Sequence, residues 1–408
     1  MRKILLSLLA LFVLPLSGAL AQNCPPNPNN LTNGTPADAT QVMANFNNLL
    51  NCINALGTGV GRNRLVNGAM VIDQRNEGAV VSIATGQEMF VTDQWQVDFV
   101  GAATNITAQR VVPGPALAGF NNALKVTVGT GSATVGANDF LTIRQNIEGV
   151  SIADLQWGTA NAATVSLSEW VNSSVSGTIT LALINGTGTR SYVNTCGVTA
   201  NVWVRCMIPN IAGDTAGTWS ADNGVGVEVR TTLTAGSAFQ TSPGSFLAGF
   251  FIGTPGQTQL TTTTGATLQV TGAQFQAGPA VTVFDTRPFA TELALCQRYY
   301  EKSYDPGTPV GTSTQANASF FFVTFPSAFA GAGGTSAPFK ATKRASPRIV
   351  LFSPFSGVAG KVFDKTNGAD VVGSVFLNST NGFSWFATAA AAAAQTEFHV
   401  QWTADAGL

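Results

Sequence analysis

AQFQAGPAVTVFDTRPFATELALCQRYYEKSY, residues Ala273 to Tyr304, is the stretch on which the fold turns. Its first half alternates apolar with small or polar residues (Val281, Val283, Phe284) and predicts a strand closing a sheet. Pro279 and Pro288 bracket that strand, since neither fits inside a paired central ladder. Phe289, Leu293, Leu295, Cys296 and Tyr299 then recur at helical spacing, with Thr291 and Glu292 near the start. The chain thus passes from one β domain, through a short linking helix (291–304), into a second β domain (305–408).

Upstream, residues 63–290 read as one β domain. Strand candidates are Leu65–Gln74, Glu88–Phe99, Ala123–Val128, Leu141–Glu148, Ala163–Val171, Gly177–Ile184, Val202–Ile208, Gly226–Thr232, Gly249–Ile252, Ala266–Val270 and Val281–Phe284. Gly, Asn, Pro and Ser turns separate them, and no helical period of useful length intervenes. So many short strands argue a sandwich, most commonly wound as a jelly roll. The fold class is therefore mainly β, with a jelly-roll β-sandwich followed by a small β tip. In the tip, Phe320–Phe325, Arg348–Phe352, Gly373–Leu377, Gly382–Ala387 and Glu397–Thr403 are the strand candidates.

The N-terminus has the pattern of a signal peptide over residues 1–21. Arg2 and Lys3 precede an apolar run from Ile4 to Leu16, and Ala19-Leu20-Ala21 supplies small residues for cleavage. The apolar run is short for a membrane span. Residues 22–62 form a Pro/Asn-rich lead-in and a helix. Thr35 reads as its N-cap and Pro36 as its first helical residue. Val42, Phe46, Leu49, Ile53 and Leu56 fall at alternating spacings of three and four, a heptad seam. The surrounding Asn residues are poor helix formers, so the seam must bury against something. Its own domain and a parallel, trimeric oligomer are both open.

Composition narrows the function. Charged residues are 10% of the 408 and net charge is −1, against roughly 25% charged in ordinary soluble proteins. No basic block exists, so nucleic acid has no electrostatic foothold. One His (His399) and five Cys leave little for a metal centre, and no cofactor is expected. The carboxylates Asp73, Glu88, Asp93, Asp98, Asp139, Glu148, Glu169 and Glu228 are scattered singly and read as solvated or turn residues. No catalytic constellation emerges, so the chain reads as a non-enzyme. His399 reads as a sheet histidine.

Aromatic rings against pyranose faces are the means of binding a neutral sugar. Of the seven Trp, Trp95, Trp170, Trp203 and Trp402 lie in strand-like stretches and read as core. Trp157, Trp219 and Trp385 stand beside Gly, Ser or Thr and are the candidate carbohydrate-binding rings. Cys196 and Cys206 flank a strand-turn-strand pattern and are disulfide candidates. Cys24 and Cys52 are a second pair, within or between chains. Cys296 reads as a buried free thiol.

A series of blocks in order carries a family likeness: NRLVNGAMVIDQR (63–75), VTDQWQVD (91–98), RQNIEG (144–149), WGTANAATVSLSEWVNSS (157–174), GAQFQAG (272–278) and FDTRPFATELALCQRYYEKSY (284–304). FKATKRASPRIVLFSPFSG (339–357) and the ending HVQWTADAGL complete it. The series resembles phage and prophage tail-fibre proteins with a jelly roll like carbohydrate-binding modules and a C-terminal tip. The resemblance implies a trimeric, non-enzymatic protein that recognises a cell-surface glycan. An export signal is a departure from that pattern, since tail fibres assemble before lysis. It leaves a secreted or cell-surface protein and a virion tail component both open. A structural fibre or matrix subunit is the alternative function, and a polysaccharide-degrading enzyme a weaker one.

Overall fold

The computed structural model describes residues 38–56, 63–314, 321–326, 332–391 and 395–408, with side chains of 49–56, 321–326, 332–334 and 395 left aside. The chain divides at Arg62/Asn63 into two compact units.

In the first unit, helix α1 spans Ala39–Leu56. Thr35 lies outside the described residues. The Asp38 carboxylate accepts the Thr40 N–H at 2.7 Å, so Asp38 satisfies one of the free amides of the first turn. That bond holds the exposed Asp38 carboxyl below the usual carboxylate range.

The second unit opens with a jelly-roll β-sandwich. Its strands are β1 (Val81–Ile83), β2 (Gln87–Thr92), β3 (Trp95–Val100), β4 (Thr104–Val111), β5 (Ala123–Thr130), β6 (Phe140–Glu148) and β7 (Val165–Ser173). β8 (Gly177–Asn185), β9 (Arg190–Val198), β10 (Trp203–Ile211), β11 (Val225–Ala235), β12 (Phe246–Ala248) and β13 (Thr267–Ala277) follow. One sheet has the order β1-β4-β5-β13-β7-β10 and the other β12-β9-β8-β11-β6-β3-β2, all antiparallel. Strand alternation sends Trp95, Val97, Phe99, Leu141, Ile143, Leu181, Val227 and Val229 inward from the seven-stranded sheet. Ile106, Val126, Leu167, Val171, Leu268 and Phe275 meet them from the six-stranded sheet.

Three expected strands are absent, and Glu88–Phe99, expected as one strand, is the hairpin of β2 and β3. Gly249–Ile252 is irregular chain that follows β12. Leu65–Gln74 is a chain of turns, with Asn67 and Met70 at positive φ. Asn67 explains this, because its side-chain amide bonds both N–H and C=O of Ile72 and competes with any ladder. Val281–Phe284 is not a strand either; β13 closes the sheet instead. Past Gly278 and Pro279 the chain folds back on the end of β13. There Gln276 donates to Ala280 O at 2.7 Å, and Gln274 donates to the Thr282 hydroxyl at 2.9 Å.

The linking helix, α2, is Phe289–Gln297, shorter and earlier than expected. Strand β14 (Tyr300–Lys302) begins the tip at once. The remaining strands are β15 (Phe321–Pro326), β16 (Ala332–Pro338), β17 (Arg348–Phe352), β18 (Lys361–Asp364), β19 (Ala369–Asn378), β20 (Gly382–Thr388) and β21 (Gln395–Asp405). They form an eight-stranded sheet in which β14, β15, β17 and β18 all pair with β21. Trp385, Phe398, Val400 and Trp402 are its core. Roll and tip are joined by charge: Arg298 of the α2 end forks onto Glu148 at 2.7 and 2.8 Å, and Arg75 pairs with Asp405.

Candidate functional site

The three candidate tryptophans are core residues, which corrects the expectation of open rings. Trp157 is 6% exposed, Trp219 9% and Trp385 0%. Trp157 meets Trp219 edge-on at 4.7 Å and Phe246 at 5.3 Å, and its indole donates to Ala163 O at 2.8 Å. Trp385 lies inside the tip. Gly, Ser and Thr neighbours describe a turn's backbone, not which side of it is covered. Trp170 and Trp203, expected in the core, are half-buried, and Trp203 donates to Pro115 O at 2.6 Å. Cys196 and Cys206 form a disulfide between β9 and β10, tying the two sheets together. Cys296 is free and buried. Cys24 and Cys52 lie outside the described side chains.

Of the eight carboxylates read as solvated, Glu88 is exposed and Asp139 and Glu228 are half-buried, but the other five are not solvated. Asp73, Asp93, Asp98, Glu148 and Glu169 are buried, held by guanidinium groups, hydroxyls or backbone amides. Several gather on the outer face of the seven-stranded sheet. There β3 turns out Gln96 and Asp98, β6 turns out Thr142, Arg144 and Asn146, and β11 turns out Glu228, Arg230 and Thr232. The register sets Gln96 opposite Arg144 and Arg144 opposite Arg230. The next row sets Asp98 opposite Thr142 and Thr142 opposite Thr232.

Two arginines side by side repel unless carboxylates separate them. Asp98 does so: its Oδ2 lies 3.0 Å from Arg144 Nε and 3.1 Å from Arg230 Nη1. The first contact is ionic rather than a hydrogen bond, since Arg144 Nε has no hydrogen-bond partner. Glu228 takes Arg230 Nη2 at 2.7 Å and lies 3.5 Å from Arg144 Nη1. Glu88 pairs with Arg144 from the more exposed edge. Three carboxylates thus face two guanidiniums. Burial pushes the Asp98 carboxyl up to about 6, against the pull of Arg144 and Arg230. The half-buried Phe250 ring stands 5.3 Å from the Arg230 guanidinium carbon.

Four buried oxygens on this face have no hydrogen-bond partner in the protein: Gln96 Oε1, Asp98 Oδ1, Asn146 Oδ1 and Thr232 Oγ1. Buried polar atoms are ordinarily paired, so the row is an incompletely satisfied polar cluster, and its atoms are themselves covered. The half-exposed Glu88 carboxylate at the edge of the cluster is its accessible acceptor. The pattern was present in the sequence as WQVD, IRQN and VEVRTT, where Gln96 and Asp98, Arg144 and Asn146, and Glu228 and Arg230 each stand two positions apart. Reading the three together requires their register.

Among the described residues no group of three His, Cys, Asp or Glu side chains is placed to hold a metal ion, and no helix is long and apolar enough to cross a membrane. His399 lies on β21 with Nε2 2.5 Å from Glu397 Oε1.

No family model and no curated protein matches the chain. Solved structures do. The enzymatically active domain of bacteriophage CBA120 tailspike protein 4 is similar at 10% identity and TM-score 0.28, over 53% of this chain and 21% of that one. This chain therefore spans about a fifth of that domain. TmCBM61, solved with β-1,4-galactotriose, is similar at 12% identity and TM-score 0.27, over 53% and 99% of the two chains. A "putative sugar binding protein" from Bacteroides thetaiotaomicron gives 11% identity and TM-score 0.28, over 53% and 100%. Likeness at this level assigns no activity.

Proposed function

We propose that this chain is a non-enzymatic surface-attachment protein, akin to a tail fibre, that binds a glycan on the outer face of the seven-stranded sheet. The observation that carries the reading is the cluster of Glu88, Asp98 and Glu228 with Arg144 and Arg230 on that face, flanked by the half-buried Phe250 ring. Glycan hydroxyls supply donors for such acceptors, and an aromatic ring beside them suits the apolar face of a pyranose. The proposal includes export by way of residues 1–21, on the strength of their signal-peptide pattern. It includes trimerisation through α1, where Met43 and Phe46 are 57% and 62% exposed.

Glycan-array binding by the chain lacking residues 1–21, followed by calorimetry on Asp98→Asn and Phe250→Ala, tests the site. Loss of a charged hydrogen bond weakens binding by about tenfold or more. A glycan that binds wild type and both variants equally would show that the sheet face is not the site. Release of reducing ends, abolished in Asp98→Asn, would turn the reading from attachment to hydrolysis.

A further inference from the structure

Where the roll, α2 and the tip meet they enclose a cavity of about 360 Å³. Its apolar wall is Phe289, Leu293 and Pro306, and Phe289 is 54% exposed. Its charged lining is Asp73 and Glu77 against Arg110, Lys302 and Lys340, one positive charge in excess.

The two carboxylates are committed to the protein. Asp73 accepts the backbone N–H groups of Asn76 at 3.0 Å and Gly78 at 2.6 Å. Glu77 pairs with Lys302, whose ammonium also donates to Thr308 O at 2.7 Å. The cations are not equally spent. Arg110 donates to Val71 O at 2.9 Å and reaches Asp73 only at 3.6 Å. The Lys340 backbone N–H is used on Glu301 at 3.1 Å. Its ammonium has no hydrogen-bond or ion-pair partner among the described residues. A cleft with surplus cationic donors and an open aromatic wall is short of one thing, an anion with an apolar face.

We propose that this cleft binds an acidic sugar residue, a pyranose carrying a carboxylate of the uronate type. The carboxylate meets Lys340 and Arg110, and the ring lies against Phe289. The volume falls in the range of small-molecule sites, roughly 300–1,000 Å³. The site is independent of the sheet face, whose excess of carboxylates disfavours the same ligand. A polymer with both neutral and acidic residues would engage the two places differently.

The test is calorimetry or ligand-observed NMR on the chain lacking residues 1–21, with uronate oligosaccharides and their neutral counterparts as probes. Uronates are expected to bind, more weakly as salt is raised, and neutral sugars to bind the cleft poorly. Lys340→Ala and Phe289→Ser each remove an exposed group, and unchanged melting curves verify the fold. Each is expected to weaken uronate binding by about tenfold. Asp98→Asn on the sheet face is expected to leave it unchanged. The proposal is overturned if uronates do not bind, if neutral sugars bind as tightly, or if Lys340→Ala has no effect. It is overturned equally if Asp98→Asn, rather than Lys340→Ala, abolishes uronate binding.

Discussion

The Arg75 guanidinium lies between the rings of Phe90 and Tyr300, 4.0 and 4.1 Å from their centres. It bonds both carboxylate oxygens of Asp405, at 2.5 and 3.0 Å, across 330 positions of sequence. One side chain of the roll thus holds the first and last strands of the tip. Burial pushes the Asp405 carboxyl up, but the Arg75 hydrogen bond and charge outweigh it and leave the group below 3.8. Its folded value is depressed, so the pair's contribution is present above about 3.8 and is lost as pH falls through the lower folded value. Arg75→Ala should cost about 2 kcal/mol, a figure lowered for the partial exposure of Asp405. Thermal melts should show the loss at pH 7 and a smaller one once pH falls through that lower folded value, where only the ring contacts of Arg75 remain. An unchanged melt at pH 7 would mean the tip docks without this pair.

Glu169 is the opposite case. It points into the sandwich, receives the Thr231 hydroxyl at 2.8 and 2.9 Å from its two oxygens, and has no cation beside it. Burial pushes its carboxyl up from 4.5 to about 7, with the Thr231 bond opposing. The folded state therefore keeps a proton that the unfolded chain releases above about 4.5. Stability should fall as pH rises from about 4.5 to 7, by on the order of 3 kcal/mol, and level off above. Glu169→Gln should remove that slope. Urea unfolding at pH 5 and pH 8 reads it directly, and equal slopes in the two proteins would refute the burial argument.

The disulfide gives a third test. Cys196 and Cys206 are 10 positions apart and join strands of different sheets. Closing so short a loop in the unfolded chain is worth about 2–3 kcal/mol in the chain-entropy description. Reduction should lower the melting temperature of the sandwich by several degrees, roughly 2–4 °C per kcal/mol for a domain of about 150–250 residues. A reduced protein with the oxidised melting temperature would show that the sheets need no covalent tie.

Legibility followed the physics of each signal. The apolar runs at Phe140–Glu148 and Gly177–Asn185 are local patterns, and those strands were readable, whereas the turn at Asp93-Gln94 that splits Glu88–Phe99 into β2 and β3 was not. Leu65–Gln74 and Val281–Phe284 carry apolar residues too, but side-chain amides from Asn67, Gln274 and Gln276 take their backbone groups. That competition is invisible in an apolar-polar pattern. The disulfide pair was readable because its two positions flank one turn. The sheet-face cluster was not, because Asp98, Arg144 and Arg230 meet only once two ladder registers are fixed. The tryptophans failed for a related reason: burial of Trp157 depends on Trp219 and Phe246, both distant in sequence.

The last prediction concerns α1. Val42, Leu49 and Leu56 fall at one core position of the heptad seam and Phe46 and Ile53 at the other. In the single chain Phe46 is 62% exposed and Met43 57%, although a large apolar side chain gains about 1.5–3 kcal/mol by burial. Asn45, Asn47, Asn48, Asn51 and Asn54 give the helix little intrinsic stability, and 18 residues is close to the length at which isolated helices are marginal. Three copies packed in parallel bury every seam position at once and supply the missing stabilisation. Phe46→Gln with Leu49→Gln keeps helix propensity while removing the apolar seam. Light scattering on the chain lacking residues 1–21 should give a trimer for wild type and a monomer for the double variant. The sandwich should keep its own unfolding transition in both, because its core lies wholly within residues 63–408. A wild-type monomer at micromolar concentration would place the partner of the seam within the same chain and remove the case for the trimer.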